Sequence, residues 1–377
     1  MEKIFILIPW FHPAYKAGGP IQSIAALVNT MQTGFQFKIF CSNKDLNNEI
    51  LPSVITDKWV SYNANTSVYY SSSYSIINVL RKEINAEKPL AIFISGIYDW
   101  QFNFLPLLKI KGIKKIISAR GMLHPEALQQ KWLKKNLYLL YWKFLGLHHS
   151  VIFHATDTRE AAFIKKSFGQ KANVIEAANF PNFYTQQPMP RKNAEQLKLF
   201  TIALISPMKN ILNVLEALQQ CRYTIEYTIA GPVKDITYWQ QCLKIIATLP
   251  QNISVKYVGA VSPGDTKNIL QQNHICILPS KSENYGHSII EALSAGRPVI
   301  TSHNTPWNSL QQARAGINVD GENINETAAA IDFFAAMPQQ DLAIWSLSAN
   351  EYAAGAINVQ KTTDQYKLLF GAAMPVP

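Results

Sequence analysis

The sequence predicts an α/β protein built from two doubly wound domains. Short runs rich in β-branched and aromatic residues alternate with helical stretches along the chain, which is typical of parallel sheets flanked by helices. The chain has 377 residues with 48% hydrophobic content, too long for one ordinary core and long enough for two. Residues 186–196 contain two prolines and polar residues without periodicity, which indicates a linker. We therefore place one domain at 1–185 and the other at 197–345.

The predicted strands fall into two sets, one on each side of this linker, and the segment 341–370 is predicted to be helical. In open α/β sheets a ligand binds at the carboxyl ends of the strands, so the loops that follow strands are the candidate sites. The first set of strands is expected near residues 4–8, 37–40, 91–95, 115–118, 151–155 and 174–175. The second set is expected near residues 199–205, 227–230, 253–258, 275–278, 299–301 and 317–319.

The loop after the first strand contains Gly18 and Gly19, just before a helix predicted to begin near Pro20. Two glycines allow the backbone to approach a ligand closely, although a tight strand-to-helix turn explains them equally well. The chain contains neither G-x-G-x-x-G nor G-x-x-x-x-G-K-[ST]. Dinucleotide-dependent dehydrogenases and P-loop NTPases are therefore disfavoured.

Residues 281–300 carry two carboxylates, Glu283 and Glu291, eight positions apart. A helix beginning near Ser288 places Glu291 in its first turn and Glu283 in the preceding loop, so both can face one ligand. The free backbone N–H groups at such a helix start favour an anion. Gly296 is expected to cap the helix end. The alternative for Glu291 is a charge favoured by the helix dipole alone, worth about 0.5 kcal/mol.

The net charge of +10 lies entirely in the first half of the chain. Residues 1–184 hold 21 Lys and Arg against 11 Asp and Glu, whereas the remainder is balanced at 14 and 14. This asymmetry indicates an anionic partner, which composition leaves open between a phospholipid surface, nucleic acid and a phosphorylated substrate. Arg-rich motifs interleaved with aromatic residues are absent from the sequence, which argues against nucleic acid.

Cysteine usage and hydropathy indicate a cytoplasmic protein. The four cysteines are scattered without a C-x-x-C pair, so neither a zinc site nor a disulfide framework is predicted. The longest apolar run falls short of the roughly 20 residues that a membrane-spanning helix needs. Residues 1–9 are too short for a signal peptide, and we expect them to form the first strand.

Residues 128–146 combine apolar side chains at helical spacing with lysines and tryptophans. This pattern favours an amphipathic helix lying on an anionic membrane surface. An ordinary surface helix, packed on its sheet by the apolar stripe with its lysines in water, explains the pattern equally well. The stripe consists of Leu133, Leu137, Leu140 and Phe144, with Lys131, Lys134, Lys135, Lys143, Trp132 and Trp142 around it.

Together these motifs resemble retaining glycosyltransferase family 4. The resemblance runs in order along nearly the whole chain and implies the GT-B fold, two facing Rossmann-like domains with a deep interdomain cleft. It also implies that a final helix, within residues 346–377, crosses back to pack on the first domain. The segments that carry it are 13–20, 118–122, 154–160, 207–210, 230–232 and the Glu-x7-Glu stretch that runs on to Pro298.

The resemblance also implies the chemistry. In such an enzyme negative charge builds on the leaving β-phosphate of a nucleoside diphosphate, so fixed positive charge is needed there. Lys209 matches the phosphate-binding lysine, Glu283 the residue that binds donor-sugar hydroxyls, and Glu291 the residue that grips the ribose. The catalytic candidates are Glu283, Lys209, Arg120 and His124, and the donor-binding candidates are Gly18, Gly19, Lys209, Gly231, Glu283, Tyr285, Gly286, His287, Ser288 and Glu291.

Two residues, Leu204 and His124, depart from the family pattern. Leu204 stands where many relatives carry an arginine that shares the diphosphate, and His124 lies near, but not in register with, a histidine of the first-domain loop. The chain contains no D-x-D, the carboxylate pair that holds a divalent metal in the other main glycosyltransferase fold. We therefore expect no metal and no cofactor besides the nucleotide sugar.

The sequence thus predicts a cytoplasmic enzyme, peripheral on the inner face of the plasma membrane, that transfers a hexose from a UDP- or GDP-linked sugar. The expected acceptor is a glycan or a lipid-linked molecule in cell-surface polysaccharide or lipopolysaccharide synthesis. Two alternatives stay open at this point. One is a nucleotide-sugar epimerase of the same fold, and the other is a noncatalytic sugar or nucleotide-sugar binding protein.

Overall fold

The computed structural model describes residues 1–72, 76–129 and 131–371. The chain forms two compact units. Unit 1 holds Met1–Phe180 and the chain from Val359 onward, and unit 2 holds Pro181–Asn358. Each unit is an α/β layer structure with apolar strands at its centre, as the alternating pattern predicts.

Within the described residues, unit 1 has an eight-stranded sheet in the order β3-β4-β2-β1-β5-β6-β7-β8. All its strand pairs are parallel except β3 with β4, which are antiparallel. The six predicted strands are confirmed. Its strands are β1 (Glu2–Leu7), β2 (Phe35–Ser42), β3 (Trp59–Asn63), β4 (Thr66–Ser71), β5 (Ala91–Ser95), β6 (Lys114–Ser118), β7 (Ile152–Ala155) and β8 (Val174–Glu176).

Sequence reasoning missed the hairpin formed by β3 and β4. Its strands are only five and six residues long and mix polar with apolar residues without regular alternation, and β3 lies at the sheet edge, where no residue is fully buried. Such segments carry little apolar signal. The helices of unit 1 that precede unit 2 in the sequence are α1 (Gly19–Thr30), α2 (Ile77–Glu87), α3 (Leu105–Lys109), α4 (Pro125–Gln129), α5 (Trp132–Phe144) and α6 (Thr158–Phe168).

The part of unit 2 that the structure describes contains a six-stranded, fully parallel sheet in the order β11-β10-β9-β12-β13-β14. All six predicted strands are confirmed. The strands are β9 (Gln196–Ile202), β10 (Thr224–Ala230), β11 (Ile253–Tyr257), β12 (Ile275–Leu278), β13 (Val299–Ser302) and β14 (Gly316–Val319). The helices are α7 (Ile211–Leu218), α8 (Ile236–Ile246), α9 (Pro263–Gln272), α10 (His287–Ser294), α11 (Ile324–Ala336) and α12 (Gln339–Ala356).

Residues 186–196, expected to be a linker, instead pack into unit 2. The fully buried guanidinium of Arg297 donates hydrogen bonds to the carbonyl oxygens of Gln187 and Pro188. Lys192 is also buried, and its Nζ donates to the carbonyl of Ala335 at 2.7 Å. These bonds fix an extended segment without regular structure, which composition cannot distinguish from a flexible one.

The chain returns to unit 1 through its last described helix, α13 (Val359–Gly371). The segment 341–370 is therefore two helices, because the helical conformation ends at Ala356 and resumes at Val359. Within unit 1, the ammonium group of Lys114 donates to the carbonyl of Phe370, and the ring of Tyr366 lies 5.4 Å from that of His154. The predicted C-terminal element also included residues 372–377, which lie outside the described residues.

None of the helices in the described part of the chain is both long enough and apolar enough to span a bilayer.

Candidate functional site

The loops that follow β9 and β12 meet at the carboxyl edge of the unit 2 sheet. Lys209 ends a short 3₁₀ turn, Pro207–Lys209, and Glu283 lies in the loop between β12 and α10. The Lys209 Nζ donates to the Glu283 Oε1 at 2.5 Å. The two side chains are 20% and 10% exposed, so the ion pair is mostly withdrawn from water but still accessible.

The carboxylate of Glu283 is held by more than the lysine. The Ser280 hydroxyl donates to the same Oε1 at 2.8 Å, and the Glu283 backbone N–H donates to the carbonyl of Asn304. The side chain is therefore oriented by Ser280 of its own loop, and its backbone is anchored to the loop after β13. A carboxylate fixed in this way is preorganised to accept further hydrogen bonds from a ligand.

Asn210 ties three strand-end loops together. It is buried in a left-handed conformation with φ of 59°, and its Nδ2 donates to the carbonyl oxygens of Pro279 and Gly321. The backbone N–H of Lys281 also donates to the carbonyl of Met208 at 2.9 Å. Asn210 thus positions Lys209 beside the β12 loop. In the sequence Asn210 belongs to the segment 207–210, and the tolerance of asparagine for positive φ is the one local signal of its role.

The turn before α10 requires glycine. Gly286 has φ of 73° and is the N-cap of the helix, and a Cβ there would lie 3.1 Å from Cδ1 of Ile289 and 3.2 Å from Nε1 of Trp307. The Trp307 indole donates to the carbonyl of Tyr285 at 2.6 Å, and the Tyr285 ring lies 4.8 Å from that of His287. The turn is rigid, so the N–H groups of the first helical turn have a fixed direction.

Glu291 lies in the second turn of α10, not in the first as expected. The helix begins at His287, one residue earlier than predicted, and Gly286 occupies the cap position. The Glu291 carboxyl is buried and accepts a hydrogen bond from Nδ2 of Asn182 at 3.4 Å. Burial raises its pKa to about 7, although the Asn182 hydrogen bond opposes the shift. A buried second-turn carboxyl is not explained by the helix dipole, whose effect is confined to the first turn.

Gly231, predicted to bind the donor, has a packing reason to be glycine. It follows β10 with φ of 136°, and a Cβ there would lie 1.8 Å from the carbonyl oxygen of Ala203. Its N–H donates to the carbonyl of Gly259 at 2.7 Å. The close approach of the chain after β9 therefore accounts for this glycine, and a role in donor binding stays a prediction.

In unit 1, Arg120 follows β6 in a left-handed conformation with φ of 52°. Its Nη1 donates to the side-chain oxygen of Asn179, and its guanidinium carbon lies 5.8 Å from the centre of the Phe93 ring. Burial, and then the charge of Arg120, lowers the pKa of the neighbouring His154 to about 3. His154 is therefore a neutral structural residue, and its ring bonds Ser118 and the carbonyl of Ala177.

The remaining candidates of unit 1 also occupy strand-end loops. The His124 ring packs edge-on against Phe163 at 4.9 Å, and its Nδ1 accepts from the backbone N–H of Glu126 at 3.4 Å. Gly18 is the N-cap of α1 with φ of 72°, and Gly19 is the first residue of that helix.

Sequence reasoning did not single out Glu160, which supports the Arg120 loop. Its buried carboxylate accepts from the backbone N–H of Gly121 at 2.6 Å and from the N–H and hydroxyl of Thr156 at 2.8 Å. It fixes the turn that follows Arg120.

The structure thus joins Lys209 and Glu283 in direct contact and places Tyr285, Gly286, His287 and Ser288 along one turn of the same unit. Arg120, His124, Gly18 and Gly19 lie in unit 1. In the parts of the chain that are described, no group of three or more His, Cys, Asp or Glu side chains is arranged to hold a metal ion.

Comparison with known sequences points to one enzyme family. Residues 184–346 match the profile of the family described as Glycosyl transferases group 1. A sucrose synthase from Melioribacter roseus is 23% identical over 171 residues, which are 41% of this chain and 22% of that protein. The chain thus spans about a fifth of the length of this relative. Most of unit 2 is therefore similar to the glycosyltransferase group 1 domain.

Comparison with solved structures gives the fold. Sucrose-phosphate synthase from Thermosynechococcus elongatus superposes with a TM-score of 0.76 at 15% identity, covering 99% of this chain and all of that one. HepE from Anabaena, solved with UDP and glucose, gives 0.70 at 14% identity over 99% and 100%. WaaG, a glycosyltransferase of lipopolysaccharide biosynthesis, gives 0.68 at 12% identity over 98% and 100%. The chain has the two-domain GT-B fold.

Proposed function

We propose that this protein is a retaining glycosyltransferase that moves a hexose from a nucleoside-diphosphate sugar to a glycan or a lipid-linked acceptor. The observation that carries the proposal is the contact between Lys209 and Glu283 at the carboxyl edge of the unit 2 sheet. This edge is where ligands bind in open α/β sheets. The glycosyltransferase profile over residues 184–346 supports the same assignment.

The reaction breaks the bond between the anomeric carbon and a β-phosphate oxygen and forms a bond between that carbon and an acceptor hydroxyl oxygen, whose proton the departing diphosphate takes up. Negative charge builds on the diphosphate as it leaves. In our proposal the Lys209 ammonium group binds this phosphate, and the N–H groups of His287 and Ser288 add dipolar stabilisation from the start of α10. The rigid Gly286 turn holds these amides in place before the donor arrives. Little reorganisation is then needed when charge develops.

Glu283 accepts hydrogen bonds from donor-sugar hydroxyls in this scheme, and Glu291 accepts from the ribose. In the structure Lys209 and Glu283 neutralise each other. Donor binding replaces this ion pair, because the diphosphate supplies the anion for Lys209 while the sugar supplies hydroxyl donors for Glu283. Tyr285, Gly18, Gly19 and Gly231 stay predicted contacts of the donor.

We propose UDP as the first nucleotide to test and GDP as the second. The similar HepE structures hold UDP, UDP with glucose, and UDP-glucose, which supports a uridine nucleotide. We propose that the transfer needs no metal ion. The sequence lacks D-x-D, and Lys209 with the amides of α10 supplies positive charge for the phosphates.

The acceptor is assigned to unit 1, and the product to cell-surface polysaccharide or lipopolysaccharide synthesis. The excess positive charge of residues 1–184 suits an acceptor that carries phosphate. WaaG, whose fold is similar, acts in lipopolysaccharide biosynthesis. In the proposal Arg120 and His124 are the catalytic candidates of unit 1.

A donor screen tests the function. Thermal unfolding is measured with UDP- and GDP-linked hexoses, and sugar transfer or donor hydrolysis is then followed with and without EDTA. Ligand binding to the folded state raises the melting temperature by mass action, so the stabilising nucleotide identifies the donor class. Nuclear magnetic resonance of the product then gives the anomeric configuration, which matches that of the donor in a retaining enzyme.

Other outcomes select the alternatives. Turnover of the donor sugar into its epimer without an acceptor indicates an epimerase. A protein that binds the donor but neither transfers nor hydrolyses the sugar, and whose Glu283→Ala variant still binds the donor, is a binding protein. Loss of transfer in EDTA, restored by a divalent metal, contradicts the metal-independent scheme.

A further inference from the structure

Helix α5 presents its apolar stripe to solvent. Leu133, Leu137, Leu140 and Phe144 are between 57% and 84% exposed. The buried side chains of α5, which pack into the core of unit 1, are instead Leu139 and Trp142. An ordinary surface helix buries its leucine stripe. The stripe of α5 therefore has no role in the core of unit 1.

The helix geometry separates the exposed apolar side chains from the buried Trp142 and from the lysines. With about 100° per residue, the four exposed apolar side chains fall within an arc of about 60°, roughly opposite Trp142. Lys134 and Lys143 lie on the two flanks of this arc, each about 90° from its centre. The helix thus shows an apolar stripe bordered on both sides by ammonium groups.

Exposed aromatic side chains extend the stripe onto a neighbouring segment. The Tyr141 ring lies 5.8 Å from that of Phe104, and the Trp100 ring lies 4.9 Å from the same phenylalanine. Both Trp100 and Tyr141 are exposed, as is Trp132 at the start of α5. Tryptophan and tyrosine at the rim of an apolar surface are typical of the boundary between hydrocarbon and headgroups.

We infer that this surface, the α5 face, docks on an anionic lipid bilayer. The α5 face consists of Leu133, Leu137, Leu140, Tyr141, Phe144 and Trp100, with Lys134 and Lys143 on its flanks. A helix of 13 residues is about 20 Å long, suited to lying in the interface with its apolar side chains in the acyl boundary. The inference uses nothing from the donor site, so its failure leaves the proposed transfer reaction standing.

Charge favours lipid over a second copy of the chain. Residues 126–146 contain four lysines and one acidic residue, Glu126. Two copies that paired through the α5 face would bring Lys134 and Lys143 of each copy close to those of the other, which is unfavourable. Anionic headgroups on both flanks of the stripe neutralise the same lysines, and each is worth about 1 kcal/mol near such a surface.

Vesicle co-sedimentation of the full chain tests the inference. The wild type is expected to bind phosphatidylcholine vesicles that contain phosphatidylglycerol and to bind pure phosphatidylcholine weakly. The double variant Leu137→Glu, Phe144→Glu is expected to lose more than about tenfold in affinity, since it places charges where apolar side chains enter the acyl boundary. A matched control is Leu243→Glu, Leu347→Glu, two exposed leucines of unit 2, which is expected to bind as the wild type does.

The lysines are tested separately. Lys134→Gln and Lys143→Gln are each expected to weaken binding to the anionic vesicles about fivefold, the factor that corresponds to about 1 kcal/mol per charge. Lys244→Gln, an exposed lysine on α8, is the control and is expected to have no effect. Because all these side chains are exposed, unchanged melting temperatures verify that the variants fold.

Three outcomes overturn the inference. One is a wild type that binds neither kind of vesicle, and another is binding that the Leu137→Glu, Phe144→Glu variant retains. The third is a lipid-free dimer, measured by sedimentation velocity, that this variant converts to monomer, since the α5 face is then an interface between copies.

Discussion

The ammonium group of Lys209 and the carboxylate of Glu283 form an ion pair at 2.5 Å although 74 residues separate them. The sheet topology explains the contact. Strands β9 and β12 are neighbours, with Leu199 opposite Ile275, so the loops that follow them emerge side by side. The pair gives unit 2 one cationic and one anionic group at the carboxyl edge of its sheet, where the proposed function places the phosphates and hydroxyls of a sugar diphosphate.

Replacing Lys209 is expected to affect the chemical step most. Lys209→Met keeps much of the side-chain volume but removes the positive charge that the proposed function places at the leaving phosphate. We expect kcat to fall about 100-fold to 1,000-fold, the range measured for the loss of one preorganised charge-stabilising group. Steady-state transfer with the donor found in the screen measures this. Lys244→Met is the control, and a Lys209→Met enzyme within tenfold of the wild type contradicts the phosphate role.

The same pair predicts a coupling in stability. Lys209→Met leaves the mostly buried Glu283 carboxylate with one partner fewer, which is expected to cost about 1–3 kcal/mol of unfolding free energy. Adding Glu283→Gln to the Lys209→Met variant removes the uncompensated negative charge. The double variant is therefore expected to be more stable than Lys209→Met, as measured by urea denaturation.

A surface pair provides the control for this cycle. Lys198 and Glu226 lie 3.3 Å apart with side chains 40% and 58% exposed. The corresponding cycle there is expected to give a coupling below about 1 kcal/mol. Equal coupling at the two sites would show that Glu283 is as well solvated as a surface carboxylate.

The raised pKa of Glu291 predicts a pH dependence of stability. Burial raises the pKa of this carboxyl from 4.5 to about 7 in the folded protein. The folded state then holds its proton more tightly than the unfolded state, so the contribution to stability is full below about pH 4.5 and is lost as the pH rises through about 7. The shift corresponds to a loss of about 3 kcal/mol.

Glu291→Gln isolates this effect, because glutamine keeps the shape and does not ionise. Its unfolding free energy relative to the wild type is expected to increase by up to about 3 kcal/mol between acidic and alkaline pH, as followed by urea denaturation. Glu351→Gln changes an exposed glutamate of α12 and serves as the control, with no such trend. A pH-independent difference for Glu291→Gln would show that the carboxyl ionises normally.

The sequence predicts the strands well because buried parallel strands are continuous apolar runs. That Lys209 and Glu283 serve one ligand is implied only by the family resemblance, and their direct ion pair is not predicted from the sequence. The side of a helix that faces the core is harder to predict. In α5 the stripe of Leu133, Leu137, Leu140 and Phe144 competes with that of Leu139 and Trp142, and both have helical spacing. The larger Trp142 side chain is the one that is fully buried.

Tertiary hydrogen bonds account for one further difference, and a helix boundary accounts for another. Arg297 follows the helix end in sequence, and nothing local indicates that its guanidinium is buried against the carbonyls of residues 187 and 188. The position of Glu291 depends on a single residue, because the helix starts at His287 once Gly286 takes the cap. A sequence-based boundary is accurate only to a few residues, and here one residue changes the turn in which a site carboxyl lies.

Gly231→Ala is expected to destabilise unit 2 strongly. The added Cβ would lie 1.8 Å from the carbonyl oxygen of Ala203, far inside van der Waals contact, and the φ of 136° is unfavourable for alanine. Since Ala203 and Gly231 both follow central strands, the clash is relieved only by separating β9 from β10. We expect a loss of more than about 3 kcal/mol in unfolding free energy, measured by urea denaturation.

Gly259→Ala separates the steric effect from the backbone effect. Gly259 also has a positive φ, 77°, but no atom described in the structure lies within 4 Å of the Cβ position. It is expected to cost about 1–2 kcal/mol, the penalty of the left-handed conformation. If the two variants were equally stable, β9 and β10 would tolerate separation at their carboxyl ends. That result would contradict a rigid sheet edge as the support of Lys209 and Glu283.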